Sequence, residues 1–105
     1  IVQSMHERKA MMADRASAFI ALPGGLGTFE EILEIATWSQ LDRHQKPMML
    51  YNVNGFYDHL IGQLDHATET GFLPQQHRDK LLVCNDLEQV FEIILNMDST
   101  AVLTV

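Results

Sequence analysis

Three short apolar runs punctuate the chain, and longer stretches with apolar side chains at helical spacing separate them. The runs are residues 18–22, 47–51 and 81–84. Each is too short for an isolated helix and shows no polar alternation, which is typical of a strand buried on both faces of a parallel sheet. We therefore predict three strands at these positions.

The intervening stretches place apolar residues every three or four positions, a spacing that predicts helices. Gly71 suits the position just after a helix, and Asp86 suits the capping position just before one. The predicted helices cover residues 5–17, 28–41, 56–70 and 86–96.

The alternation of helix and strand predicts an α/β fold, a Rossmann-like parallel sheet with helices on both faces. We expect residues 1–97 to form the carboxyl-terminal part of a single domain. Residues 98–105 are expected to be a tail that frays, unless 101–103 pair with another strand. Three strands make a thin sheet, and Ile1-Val2 resembles the end of a strand, so the amino-terminal half of the domain is expected to be missing.

Composition narrows the class of protein. The 105 residues are 47% hydrophobic, as in a globular domain, and 7 basic against 14 acidic residues give a net charge of −7. That balance argues against binding to nucleic acid or to an anionic membrane, and no apolar run approaches the ~20 residues that span a bilayer. A single cysteine, Cys84, lies in an apolar run and fits a reducing compartment, so we expect a cytoplasmic protein.

The most informative segment is Pro-Gly-Gly-Leu-Gly-Thr at residues 23–28, between the first strand and the second helix. Ligands of α/β sheets bind beyond the carboxyl ends of the strands, and a helix start that follows glycines favours phosphate. The segment lacks the endings of nucleoside-triphosphate and dinucleotide loops, so we expect a monophosphate. The alternative is a tight turn in which Thr28 and Glu31 form a capping box, although three glycines in four positions exceed what that requires.

A second cluster, Arg8-Lys9, stands in the first helix. A helix of about 12 residues runs ~18 Å, and the five-residue strand that follows returns ~17 Å. The two lengths nearly cancel, so we expect both cations at the same sheet edge as the glycines, where they would meet the phosphate beside Glu31. The alternative is a solvated helix start. The histidines do not cluster, and His59 and His66 lack a third partner, so we expect no metal site.

Together, Met5-His6-x-Arg8-Lys9 and the later Pro-Gly-Gly-x-Gly-Thr-x-x-Glu resemble the Lonely Guy family, cytokinin riboside 5′-monophosphate phosphoribohydrolases long mislabelled as lysine decarboxylases. The resemblance covers residues 1–96. It continues through Thr37-Trp38, Lys46-Pro47, residues 52–57 and Gly71-Phe72. The family's opening strands and an earlier glycine-rich segment lie outside this sequence.

The resemblance implies hydrolysis of the N-glycosidic bond of a nucleoside 5′-monophosphate, either AMP or an N6-substituted relative, to the free base and ribose 5-phosphate. It implies a homodimer with no metal or other cofactor, and a catalytic pair formed by Arg8 and Glu31. The substrate-binding positions it implies are Arg8, Lys9, Gly24, Gly25, Leu26, Gly27, Thr28, Phe29, Glu30, Glu31 and Thr37.

Glycosidic cleavage passes through an oxocarbenium-like state, and a carboxylate at Glu31 can stabilise that charge, hold a ribose hydroxyl or orient water. All three roles stay open. An alternative from another class is a non-catalytic protein that binds a nucleotide or a molybdenum cofactor, which needs the glycines but not the Arg8–Glu31 pair. A pyridoxal-dependent decarboxylase would need a Schiff-base lysine in a much larger fold, and phosphate explains Lys9 better.

Overall fold

A computed structural model describes residues 4–97 and 101–105; the strand end expected at Ile1-Val2 and residues 98–100 lie outside this range. In the described chain, helices and strands alternate as predicted, with two additional helical turns and one additional strand. The elements are α1 (Met5–Arg15), β1 (Ala18–Ala21), α2 (Leu26–Gln40), β2 (Met48–Tyr51), a 3-10 turn (Val53–Gly55), α3 (Asp58–Glu69), α4 (Gln75–Arg78), β3 (Leu81–Cys84), α5 (Leu87–Leu95) and β4 (Val102–Thr104).

The strands form one parallel sheet in the order β3-β2-β1-β4, which confirms the predicted α/β class. All four residues of β1 are buried, as its continuous apolar run predicts. Phe19 and Ala21 face a core that α1, α2 and α3 cover, whereas Ala18 and Ile20 face a smaller core under α5. This alternation is the two-residue period of a strand, and it places helices on both faces of the sheet.

Residues 102–104 form β4, so the alternative to a fraying tail, in which residues 101–103 pair with another strand, is the one that the structure shows. β4 pairs in parallel with β1, in the register of Ala18 with Val102. The Ser17 N–H donates to the Ala101 carbonyl at 2.6 Å, and the Val105 N–H donates to the Ile20 carbonyl at 2.9 Å. The physical reason is that β2 occupies only one edge of β1, and this short apolar segment satisfies the backbone groups of the other edge.

Several helix ends follow from local chemistry. The Ser4 hydroxyl accepts the Glu7 N–H at 3.1 Å to begin α1, and the Asp86 carboxylate accepts the Gln89 N–H at 2.9 Å to begin α5. Gly71 follows α3 with a φ of 89°, the left-handed value expected at this position. The four-residue α4 was not predicted, because one turn carries no detectable period.

Candidate functional site

The glycine loop (residues 23–28) joins β1 to α2 at the carboxyl edge of the sheet, where it was predicted to lie. Gly24 is required by a close approach: a Cβ there would overlap the Thr28 hydroxyl and stand 3.0 Å from the Thr28 Cβ. In contrast, a Cβ at Gly25 or Gly27 would meet nothing within 4 Å. The outer surface of the loop is therefore open, so that a ligand can reach the backbone.

The amino terminus of α2 begins two residues earlier than predicted, at Leu26, with Gly25 as its cap. The Phe29 N–H donates to the Gly25 carbonyl at 3.1 Å, which is the first bond of the helical pattern. The amides of Leu26, Gly27 and Thr28 precede it and have no acceptor within the helix, so they suit an anion. Because Thr28 lies inside the helix rather than at its cap, the capping box that was the alternative interpretation is not formed.

Lys9 connects α1 to α2 near this loop. Its Nζ lies 2.8 Å from Glu30 Oε1 and 3.8 Å from Glu34 Oε2. The hydrogen bond to Glu30 is the main cause that raises the pKa of Lys9; burial opposes it, and the charges of Glu30, Glu34 and Glu31 add to it. Lys9 therefore lies beside the first turns of α2, as the helix and strand lengths predicted, with carboxylates as its partners.

A cleft of about 70 Å³ separates α1, α2 and the end of β4. Lys9 and Glu31 contribute charge to it, while Met12, Trp38 and Leu103 contribute apolar surface. Glu31 is half-buried there, one and a half turns into α2. The arrangement places a carboxylate in a partly apolar recess, five residues along α2 from Leu26, where the helix begins.

The two remaining predicted residues lie outside this cleft. Arg8 is exposed, and within residues 4–97 and 101–105 its guanidinium makes no ion pair. Thr37 lies nine residues beyond Thr28 on α2, about 13.5 Å along the helix axis, and its hydroxyl donates to the Leu33 carbonyl at 2.8 Å. The structure thus brings Lys9, Glu30 and Glu31 close to the glycine loop, and leaves Thr37 apart from it.

Sequence reasoning missed a hydrogen-bonded group behind the loop. The Tyr57 hydroxyl donates to the Leu22 carbonyl at 2.5 Å, immediately before the loop begins. Asn52 is 7% exposed and accepts the Tyr57 N–H at 2.7 Å. The available signal was an asparagine directly after an apolar strand, a polar residue where the chain is still buried.

Two further properties concern the described residues alone. Among residues 4–97 and 101–105, no three His, Cys, Asp or Glu side chains lie close enough to hold a metal ion. No helix in these two ranges has the length and apolar character that crossing a bilayer requires.

A parallel sheet covered by helices, with an open glycine-rich turn at its carboxyl edge, defines a Rossmann-like α/β protein. The family model described as "Possible lysine decarboxylase" matches residues 1–94. The chain belongs to this family, and the resemblance to the Lonely Guy proteins is confirmed.

Three curated relatives are named cytokinin riboside 5′-monophosphate phosphoribohydrolase. The protein of Rhodococcoides fascians is 48% identical over 84% of this chain and 44% of its own length. That of Arabidopsis thaliana is 48% identical over 89% of this chain and 44% of its own. That of Oryza sativa subsp. japonica is 56% identical over 73% of this chain and 32% of its own. The chain therefore spans less than half the length of these relatives.

Proposed function

We propose that this chain forms part of a hydrolase that cleaves the N-glycosidic bond of a nucleoside 5′-monophosphate, AMP or cytokinin riboside 5′-monophosphate. Water adds to the anomeric carbon as the bond to the base breaks, and the base leaves with a proton. The products are the free base and ribose 5-phosphate. The names of the relatives support this activity, and the observation that carries it is the placement of Glu31 relative to the glycine loop.

Glu31 lies five residues beyond Leu26 in α2, about 7.5 Å along the helix axis. A phosphate on the amides at the start of α2 would leave its ribose extended toward that carboxylate. The charge of Glu31 can then stabilise the oxocarbenium-like state, hold a ribose hydroxyl or orient the attacking water. The half-buried position of Glu31 beside apolar side chains strengthens such a charge interaction.

Arg8 serves in this proposal as the side-chain anchor of the phosphate and as the second member of the catalytic pair. Its exposed guanidinium makes no ion pair with a described residue, and arginine can bind phosphate in bidentate fashion. The remaining positions proposed to contact substrate are Lys9, residues 24–30 and Thr37.

The proposed molecule is a cytoplasmic homodimer that needs no metal or other cofactor and binds neither nucleic acid nor membrane. The net charge of −7 supports the last point. A dimer is supported by large apolar side chains that are solvent-exposed, among them Phe72 at 87% and Leu95 at 78%.

The test is Glu31→Gln, measured by chromatographic release of base from AMP and by calorimetric AMP binding. We expect base release to fall by about 100-fold or more while affinity changes less than about threefold, because the amide keeps the shape of the side chain and loses its charge. Glu69→Gln, an exposed change at the end of α3, is the control and should leave both quantities unchanged. Equal losses of binding and turnover would contradict the role of Glu31. AMP binding with no base release by the parent protein would favour a non-catalytic nucleotide-binding protein.

A further inference from the structure

The segment between β2 and α3 lies outside the cleft, and the proposed function does not use it. It turns sharply through Asn54 and Gly55, which both have positive φ, 51° and 73°. Asparagine and glycine are the residues that adopt this conformation most readily. The turn brings Tyr57 under the glycine loop, where its side chain is 1% exposed.

A chain of three hydrogen bonds runs from this turn to the loop. The Asn52 side-chain amide donates to Asp58 Oδ1 at 2.8 Å, and Asn52 Oδ1 accepts the Tyr57 N–H at 2.7 Å. The Tyr57 hydroxyl then donates to the Leu22 carbonyl at 2.5 Å. Both polar ends of the buried Asn52 side chain are thus satisfied, and Tyr57 is held at its backbone as well as at its hydroxyl.

Tyr57 also contacts the other end of the loop. Its ring meets Phe29 of α2 at a centroid distance of 6.3 Å and an interplanar angle of 73°, an edge-to-face arrangement. Phe56 completes the aromatic group, with its ring 4.9 Å from that of Tyr57 at 87°. A single side chain therefore contacts Leu22, just before the glycine loop, and Phe29, just after it.

We propose that Tyr57 is a positioning residue that holds the glycine loop in its phosphate-binding conformation, with Asn52 and Asp58 fixing Tyr57. This inference rests on the proposed function for the identity of the ligand. Consecutive glycines leave the free loop many backbone conformations, and binding must then select one of them. Anchoring both ends in advance lowers that cost and increases phosphate affinity without any contact to the ligand.

The experiment compares Tyr57→Phe with Tyr51→Phe in the 105-residue chain. Tyr51 ends β2, is half-buried and provides the same loss of one hydroxyl on the opposite face of the sheet, against the core under α5. Exchange in the loop is followed at the Phe29 amide, whose N–H donates to the Gly25 carbonyl and is exposed only when the loop opens, and affinity is measured for AMP and for adenosine. For Tyr57→Phe we expect loop exchange at least about fivefold faster and AMP affinity three- to tenfold weaker, with adenosine affinity unchanged. Tyr51→Phe should match the parent protein in all three.

A general loss of structure would instead weaken AMP and adenosine binding equally, and that result would overturn the inference, as would unchanged exchange in the loop. If the loop exchanges faster but the parent protein binds AMP no better than adenosine, then Tyr57 anchors the loop and the phosphate role in the proposed function fails. Asp58→Asn and Asp58→Ala form a rescue pair. Both remove the charge, but only the asparagine keeps an acceptor for Asn52, so only the alanine variant should resemble Tyr57→Phe.

Discussion

Lys9 Nζ lies 2.8 Å from Glu30 Oε1, and this ion pair links α1 to the second turn of α2. With Glu34 also within 4 Å and Glu31 close by, the ammonium is balanced by carboxylates before any ligand arrives. Arg8, its neighbour in sequence, has no such partner among the described residues. The two cations that the sequence grouped together are therefore electrostatically different.

This difference predicts unequal effects on phosphate binding. Arg8→Gln should weaken AMP affinity by about tenfold or more, because it removes an unpaired charge that can bond phosphate directly. Lys9→Gln should weaken it by less than about fivefold, because the carboxylates already offset that charge. Titration calorimetry at two salt concentrations measures both changes, with Arg15→Gln at the far end of α1 as the control. A larger loss for Lys9→Gln than for Arg8→Gln would contradict this interpretation.

Alanine substitutions in the glycine loop should affect fold stability and AMP affinity differently. Gly27→Ala places a methyl group in open space on α2, so it should stabilise the fold by about 0.5 kcal/mol while it weakens AMP affinity by hindering approach to the backbone. Gly24→Ala forces a contact with Thr28 and should destabilise the fold by about 1 kcal/mol or more. Urea unfolding together with AMP titration tests both variants. A Gly27→Ala protein that binds AMP as well as the parent does would show that phosphate does not approach this surface.

Lys46 should be important for stability, since its Nζ donates to the carbonyls of Ala13 at 2.6 Å and Asp14 at 3.1 Å. These carbonyls lie in the last turn of α1, at the negative end of the helix dipole. A cation there bonds carbonyls that have no partner within the helix and interacts favourably with the dipole. We expect Lys46→Met to lower the free energy of unfolding by about 1–2 kcal/mol. Lys80→Met, just before β3, is the matched control and should cost less than about 0.5 kcal/mol. If chemical denaturation gives equal losses of unfolding free energy for Lys46→Met and Lys80→Met, Lys46 does not cap α1.

Tyr57 should make stability fall in alkaline solution, because burial raises its pKa above the ordinary value of 10.0. The folded protein then holds this proton more tightly than the unfolded chain does. Its contribution is complete below pH 10 and is lost as the pH rises through the folded-state pKa. Cys84 and Lys9, whose pKa values are also raised, add a slope of the same sign.

Comparing the parent protein with Tyr57→Phe and Tyr51→Phe separates the contribution of Tyr57 to this pH dependence from those of Cys84 and Lys9. Unfolding free energies measured between pH 8 and 11 should decline less steeply for Tyr57→Phe than for the parent, whereas Tyr51→Phe should follow the parent. Parallel curves for all three proteins would mean that Tyr57 does not stay protonated in the folded state above its ordinary pKa.

The sequence predicted those features that a local pattern encodes. The runs at 18–22, 47–51 and 81–84 are strands to within one residue at each end, because a strand buried on both faces requires continuous apolar side chains. The position of the glycine loop at the carboxyl edge follows from element order alone. β4 could not be predicted with the same certainty, since three residues become a strand only where a distant strand edge is open.

The candidate site divides in the same way. The proximity of Lys9 to α2 followed from element lengths, but its pairing with Glu30 depends on which faces of two helices meet, and sequence spacing does not fix that. The hydrogen bond from Tyr57 to Leu22 ends on a backbone carbonyl. Because every residue has a carbonyl, no residue type marks the acceptor, and the contact leaves no trace in the sequence.

The pairing of β4 with β1 also has a consequence for the order of assembly. Ala18 pairs with Val102, whereas Phe19 pairs with Met48. The loop closed when β4 pairs with β1 is therefore roughly three times as long as the loop closed by β2, and closing it costs about 1 kcal/mol more in entropy. β4 should therefore dock late in folding and be the first strand to open in the native state. Because Leu103 and Val105 line one wall of the cleft beside Glu31, that recess is completed only at the final step of folding.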